Sequence, residues 1–81
     1  MKRIEVFGPG CPNCKRTARI IQQAAASMGM TDGKEYILIK VTNPAEIASR
    51  GILATPGVAV DGEIVSRGKV PEKGAVEGWL S

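Results

Sequence analysis

Cys11 and Cys14, in the run Cys11-Pro12-Asn13-Cys14, are the residues of this chain best placed for covalent chemistry. They are its only cysteines, and the chain has no histidine. A tetrahedral zinc centre built from Cys and His needs four such ligands, which one copy of the chain does not offer. Two thiols at this spacing can close on each other and pass two electrons to or from another disulfide. The closed ring is a poor structural staple, because entropic stabilisation grows with loop length. The pair reads as a redox dithiol.

The two thiols differ in their expected surroundings. Cys11 falls at the start of a helix-like segment, where backbone N–H groups lack helical partners and can hold a thiolate. Lys15 and Arg16 follow within a turn as candidate thiolate stabilisers. Such settings lower a cysteine pKa below the free value of roughly 8.5. Cys14 lies one turn further in, on the apolar stripe of the same segment, and is expected to be less exposed and less acidic. Cys11 is therefore the expected attacking thiol and Cys14 the resolving one.

The surrounding elements must hold this pair in place. Ile4 to Phe7 reads as a strand ended by Gly8-Pro9-Gly10. A helix is predicted from about Cys11 to Met28, with Pro12 in its first turn and Cys14, Ala18, Ile21, Ala25 and Met28 forming a stripe. Gly29 is its expected stop. Tyr36 to Val41 is almost continuously apolar, as in a strand covered on both faces. Asn43, Pro44 and Glu46 announce a short second helix that Gly51 ends. Asp61-Gly62 between Val58–Val60 and Glu63–Val65 is a hairpin signal. A last helix is predicted over Pro71–Leu80, with Ala75, Val76, Trp79 and Leu80 on one side. Met28, Met30, Ile47, Leu53 and Trp79 are expected in the core. The result is one domain over residues 1–81, an α/β fold of order β-α-β-α-β-β-α with a central mixed sheet and helices on both faces.

Composition narrows the function classes. The 81 residues are 43% hydrophobic and 23% charged, ordinary for a globular domain. The net charge of +3 is mild, and one Phe, one Tyr and one Trp leave little surface for stacking bases, so a nucleic-acid partner is not expected. No segment has signal-peptide or membrane-span character, so no membrane association is expected and the cytoplasm is the expected location. There a cysteine pair signals redox or metal chemistry.

Two motifs, Gly10-Cys11-Pro12-Asn13-Cys14 after the first strand and Ala54-Thr55-Pro56-Gly57-Val58 before the hairpin, carry a resemblance. The chain resembles the small thioredoxin-like, or glutaredoxin-like, redox-active disulfide proteins of bacteria and archaea. The resemblance spans nearly the whole chain and implies a truncated thioredoxin-like fold, without the extra N-terminal strand and helix of full-length thioredoxin. It implies thiol–disulfide oxidoreductase (protein-disulfide reductase) activity with no bound cofactor beyond the Cys11–Cys14 disulfide itself, and protein disulfides as substrates. It further implies that Pro56 is cis and faces the disulfide, and that Thr55 offers main-chain hydrogen bonds to bound substrate. Glutaredoxins follow their hairpin with Gly-Gly and an acidic residue that hold glutathione, whereas Ser66 to Glu72 carry no such signature. Glutathione is thus not the expected partner, and a thioredoxin-reductase-type flavoenzyme is the expected electron source. Glu5 stands six residues before Cys11, where thioredoxins carry a buried carboxylate that moves protons for the resolving thiol. It is a candidate general base for Cys14, against the alternative of a solvent-facing glutamate paired with a lysine.

Two other classes fit parts of the pattern. A Cu(I)- or zinc-binding chaperone module also places C-x-x-C between a strand and a helix. Such modules carry Met two residues before the first cysteine, where this chain has Pro9, and they end on a strand. No metal site is expected here. A docking module without catalysis would use the same surface around Gly8-Pro9-Gly10 and Thr55-Pro56.

Overall fold

The computed structural model describes residues 2–81. The elements run β1 (Lys2–Phe7), α1 (Pro12–Ser27), β2 (Tyr36–Val41), α2 (Pro44–Ser49), β3 (Gly57–Val60), β4 (Glu63–Arg67) and α3 (Lys73–Leu80). The strands form one mixed sheet in the order β2-β1-β3-β4, with β1 parallel to β2 and antiparallel to β3. The α1 crossover supplies the parallel step, as two adjacent parallel strands require. Among the described residues no helix is long and apolar enough to cross a membrane.

Side-chain alternation along the central strand β1 divides the interior in two. Ile4 and Val6 meet Ile21, Ala24 and Ala25 of α1 and Val76 and Leu80 of α3 on one face. Phe7 meets Val41, Ile47, Ile52 and Ala59 under α2 on the other. Phe7, Ile4, Ile21, Val58 and Val76 are fully buried, each contributing about 1.5–3 kcal/mol.

Local chemistry sets the element ends. Gly29 at φ 74° stops α1 and Gly51 at φ 78° follows α2, in a region that costs a residue with a Cβ. Asn43 Oδ1 accepts from the N–H groups of Ala45 at 2.9 Å and Glu46 at 3.4 Å, capping α2. Asp61 and Gly62 both have positive φ, the conformation of a two-residue hairpin loop whose twist matches its strands. At the end of the sheet remote from the cysteines, Lys2 Nζ donates to the carbonyls of Trp79 at 2.6 Å and Ser81 at 3.1 Å, tying β1 to the last turn of α3.

The structure corrects several expectations. β2 is an edge strand whose cover on its two faces is incomplete: Tyr36 and Leu38 pack on the α1 side and Val41 and Ile39 under α2, but Ile37 is 38% exposed. Leu53 is 95% exposed, because Ile52 takes the core position after the Gly51 turn and the extended chain aims the next side chain outward. Met28, at the C-cap of α1, is also exposed. α3 begins at Lys73 rather than Pro71, since Glu72 is extended at φ −80°, ψ 151°. Ala75 on that helix is exposed and Trp79 half-buried, leaving Val76 and Leu80 as its buried contacts.

Candidate active site

Cys11 and Cys14 meet where β1 turns into α1, and their sulfurs are joined in a disulfide with Cα atoms 5.1 Å apart. Gly10, at φ 99°, makes the turn that brings Cys11 to the helix start. Cys11 is the N-cap residue of α1, and its Sγ accepts from the Cys14 N–H at 3.3 Å. The helix start thus directs a backbone donor at the sulfur that must carry negative charge, and no acidic residue in the first turn opposes it. Cys11 is half-buried, whereas Cys14 is 6% exposed.

Three further elements frame the pair. Gly8 follows β1, is buried, and is held by its N–H donating to Val41 O at 2.9 Å. A Cβ at Gly8 would collide with Cys14 Sγ and lie 3.1 Å from Cys14 Cβ, so the backbone itself lies against this sulfur. The Thr55–Pro56 peptide is cis. Pro56 is fully buried and Thr55 exposed, and the Pro56 carbonyl accepts from Gly68 N–H at 2.8 Å, which fixes this loop against the end of β4. A Cβ at Gly8 would also stand 3.8 Å from Thr55 Cβ, so this loop adjoins the cysteine turn.

The charged candidates separate. Lys15 and Arg16 are both exposed, and Lys15 lines a cleft of about 100 Å³ together with Cys14. Glu5 is buried on the central strand, 5% exposed, and points to the α2 side with Phe7. Its carboxylate accepts from both terminal nitrogens of Arg50, at 3.1 and 3.2 Å, and Arg3 stands 3.8 Å away. The Arg50 guanidinium also lies 4.9 Å from the centroid of the Phe7 ring. Its pKa is raised chiefly by the side-chain hydrogen bonds to Glu5. Cys14 instead packs toward the opposite face, beside Val6 and Gly8.

Three contributors escaped the sequence reading. Arg50 as partner of Glu5 is set by the tertiary fold, 45 residues away. The sequence marks Gly8 as a strand terminator and as part of a candidate docking surface, with no sign that it lies against Cys14 Sγ. Lys40, in register with Val6, lines the cleft beside Cys14. A lone lysine in an otherwise apolar strand was the available signal for it. Among the described residues no three of His, Cys, Asp and Glu gather as a metal-binding group.

A profile describing a thioredoxin domain matches residues 2–81. The chain is 40% identical over 68 residues to a thioredoxin of Methanocaldococcus jannaschii, covering 84% of this chain and 73% of that protein. It is 32% identical over 81 residues to a thioredoxin of Methanothermobacter thermautotrophicus, spanning the full length of both. A second match to a thioredoxin of Methanocaldococcus jannaschii shows 30% identity over 93% of this chain and 88% of that protein. The sulfur pair at the start of α1, the four-stranded mixed sheet and these likenesses agree, and the chain belongs to the thioredoxin-domain family of thiol–disulfide oxidoreductases.

Proposed function

We propose that this chain reduces protein disulfides through Cys11 and Cys14 and draws its electrons from a thioredoxin-reductase-type flavoenzyme in the cytoplasm. The observation that carries this reading is the asymmetry of the pair. Cys11 is partly exposed and caps α1 with its sulfur, and Cys14 is covered and bonded to it.

In the reduced chain the Cys11 thiolate attacks one sulfur of a substrate disulfide. A Cys11–substrate bond forms, the substrate bond breaks, and the departing substrate thiolate takes a proton from water. Cys14, having lost its proton, then attacks Cys11 Sγ. The Cys11–Cys14 bond forms, the substrate leaves with its second thiolate, and two electrons have passed to it. No bound cofactor takes part, since the electrons reside on the two sulfurs. Thr55 and Pro56 form the edge along which the substrate main chain lies, and the nearly bare Leu53 stands two residues before Thr55 in the same loop.

The test is a redox titration of the purified chain against dithiol buffers, read by alkylation and intact mass, with reduction of insulin as the protein substrate. A reversible two-electron couple is expected, with insulin reduction lost in Cys11→Ser and a trapped mixed disulfide in Cys14→Ser. A pair that never closes reversibly would remove the proposal. Glu5→Gln tests whether the buried carboxylate helps deprotonate Cys14. An unchanged rate of mixed-disulfide resolution assigns it to its pairing with Arg50 alone.

A further inference from the structure

The sheet face toward which Cys14 packs holds a charge with no part in the scheme above. Lys40 lies opposite Val6 in the β1–β2 register, and Val6 belongs to the face packed by α1. Lys40 and Cys14 line the same cleft of about 100 Å³, floored by Val6 and Gly8 and bordered by Lys15 and Thr42. No carboxylate lines this cleft, and among the described residues Lys40 makes no salt bridge.

Other groups also stand around Cys14. On α1 they are Cys11, its disulfide partner, and Lys15. From β1 and the turn after it come Val6, Gly8 and Gly10, none of which titrates. From the loop before β3 comes the neutral Thr55, near Gly8. Glu5 lies on the opposite face, hydrogen-bonded to Arg50. Two cations and no anion thus share the cleft with the resolving sulfur.

We infer that Lys40 is the electrostatic partner of Cys14, stabilising its thiolate during release of the substrate from Cys11. This role rests on the dithiol reading above. The step it assists is the second one: Cys14 gives its proton to water at the mouth of the cleft, its thiolate forms the Cys11–Cys14 bond, and the substrate sulfur departs with the electron pair of the broken bond. Lys40 changes no bond. It holds positive charge beside the sulfur while that sulfur is anionic.

The size of the effect gives it a signature. An opposite charge nearby favours the thiolate, and its loss raises the thiol pKa by on the order of one unit. Below that pKa the thiolate is then about tenfold scarcer, but each thiolate is about threefold more nucleophilic, since reactivity rises with basicity. The net change is a fall of about threefold on the acidic limb and a rise of about threefold on the alkaline plateau. The two pH profiles cross, which loss of packing alone would not produce.

The experiment mixes the reduced full chain with dithiodipyridine, an uncharged disulfide, and follows thiopyridone absorbance from about pH 5 to 10. The first phase scales with reagent concentration and reports attack by Cys11. The second is independent of it and reports resolution by Cys14. Lys40→Met is expected to show the crossed profile in the second phase, with the first phase changed less than about twofold. Lys40→Arg keeps the charge and is expected to restore the wild-type profile. An unshifted second phase in Lys40→Met, or one lowered at every pH, would overturn the role of Lys40. A wild-type chain with no second phase would overturn the dithiol reading itself.

Discussion

Replacing Gly8 by Ala should make the protein a stronger oxidant. The glycine is buried against the resolving sulfur, and an added Cβ would overlap Cys14 Sγ. Its φ lies outside the left-handed region, so alanine fits the backbone and only the contact is at issue. Overpacking of this kind costs about 1–3 kcal/mol. In the oxidised chain the Cys11 bond pins the Cys14 sulfur, and the full cost applies. In the reduced chain the thiol can turn to another rotamer and escape part of it. For a two-electron couple about 1.4 kcal/mol corresponds to 30 mV, so the potential should rise by up to roughly 20–60 mV. Titration of Gly8→Ala and wild type side by side measures the shift, and thermal melts of both redox states close the cycle. The oxidised variant should lose about 4–8 °C per kcal/mol, the reduced one less. An unchanged potential with unchanged melting of both forms would refute the contact.

Other expectations follow from single contacts. Asn43→Ala removes the α2 cap and should cost about 1 kcal/mol, read as a lower Tm of about 4–8 °C. Tyr36 is buried, and its phenol pKa is raised, first by burial and then by Asp32. The folded state therefore holds this proton more tightly than the unfolded one. The stability so gained is fully present below about pH 10, the unfolded value, and is lost as the pH rises through the folded pKa. Urea melts across that range should show the loss in wild type and a flatter profile in Tyr36→Phe. Leu53→Ser should leave the Tm within about 2 °C, because the side chain is nearly bare. It should lower kcat/KM for a protein disulfide by about threefold or more while sparing dithiodipyridine, a difference that steady-state assays with both substrates would show.

The fold was largely legible because its local signals agree with one another. Asn43 before Pro44, Asp61-Gly62 between two apolar runs, and glycines after α1 and α2 each serve the conformation the structure requires. The sulfur pair was legible for the same reason, since Cys11 caps a helix that its own neighbours specify. The misreadings share a cause: hydrophobicity reports what a residue prefers, while coverage depends on how far other elements extend. Ile37 on the edge strand β2 stays 38% exposed beside well-covered neighbours, and Leu53 follows a turn that aims it into water. For Glu5 the spacing indicated a position, but its partner depended on the return of the chain to Arg50. Side-chain alternation then decides which charges share a face with Cys14, and that requires the register of Val6 with Lys40.

Because Lys2 is hydrogen-bonded to the carbonyls of Trp79 and Ser81, residues 2 and 81 lie together on the pole of the molecule opposite the sulfurs. Engineering can use that arrangement. A reporter, tether or solid support attached beside residue 2 or residue 81 hangs from the far pole and leaves the Cys11 surface free to meet large partners. A short linker from residue 81 back to residue 2 would join the ends into a circle, allowing the chain to be reopened at an exposed loop such as Thr31–Glu35.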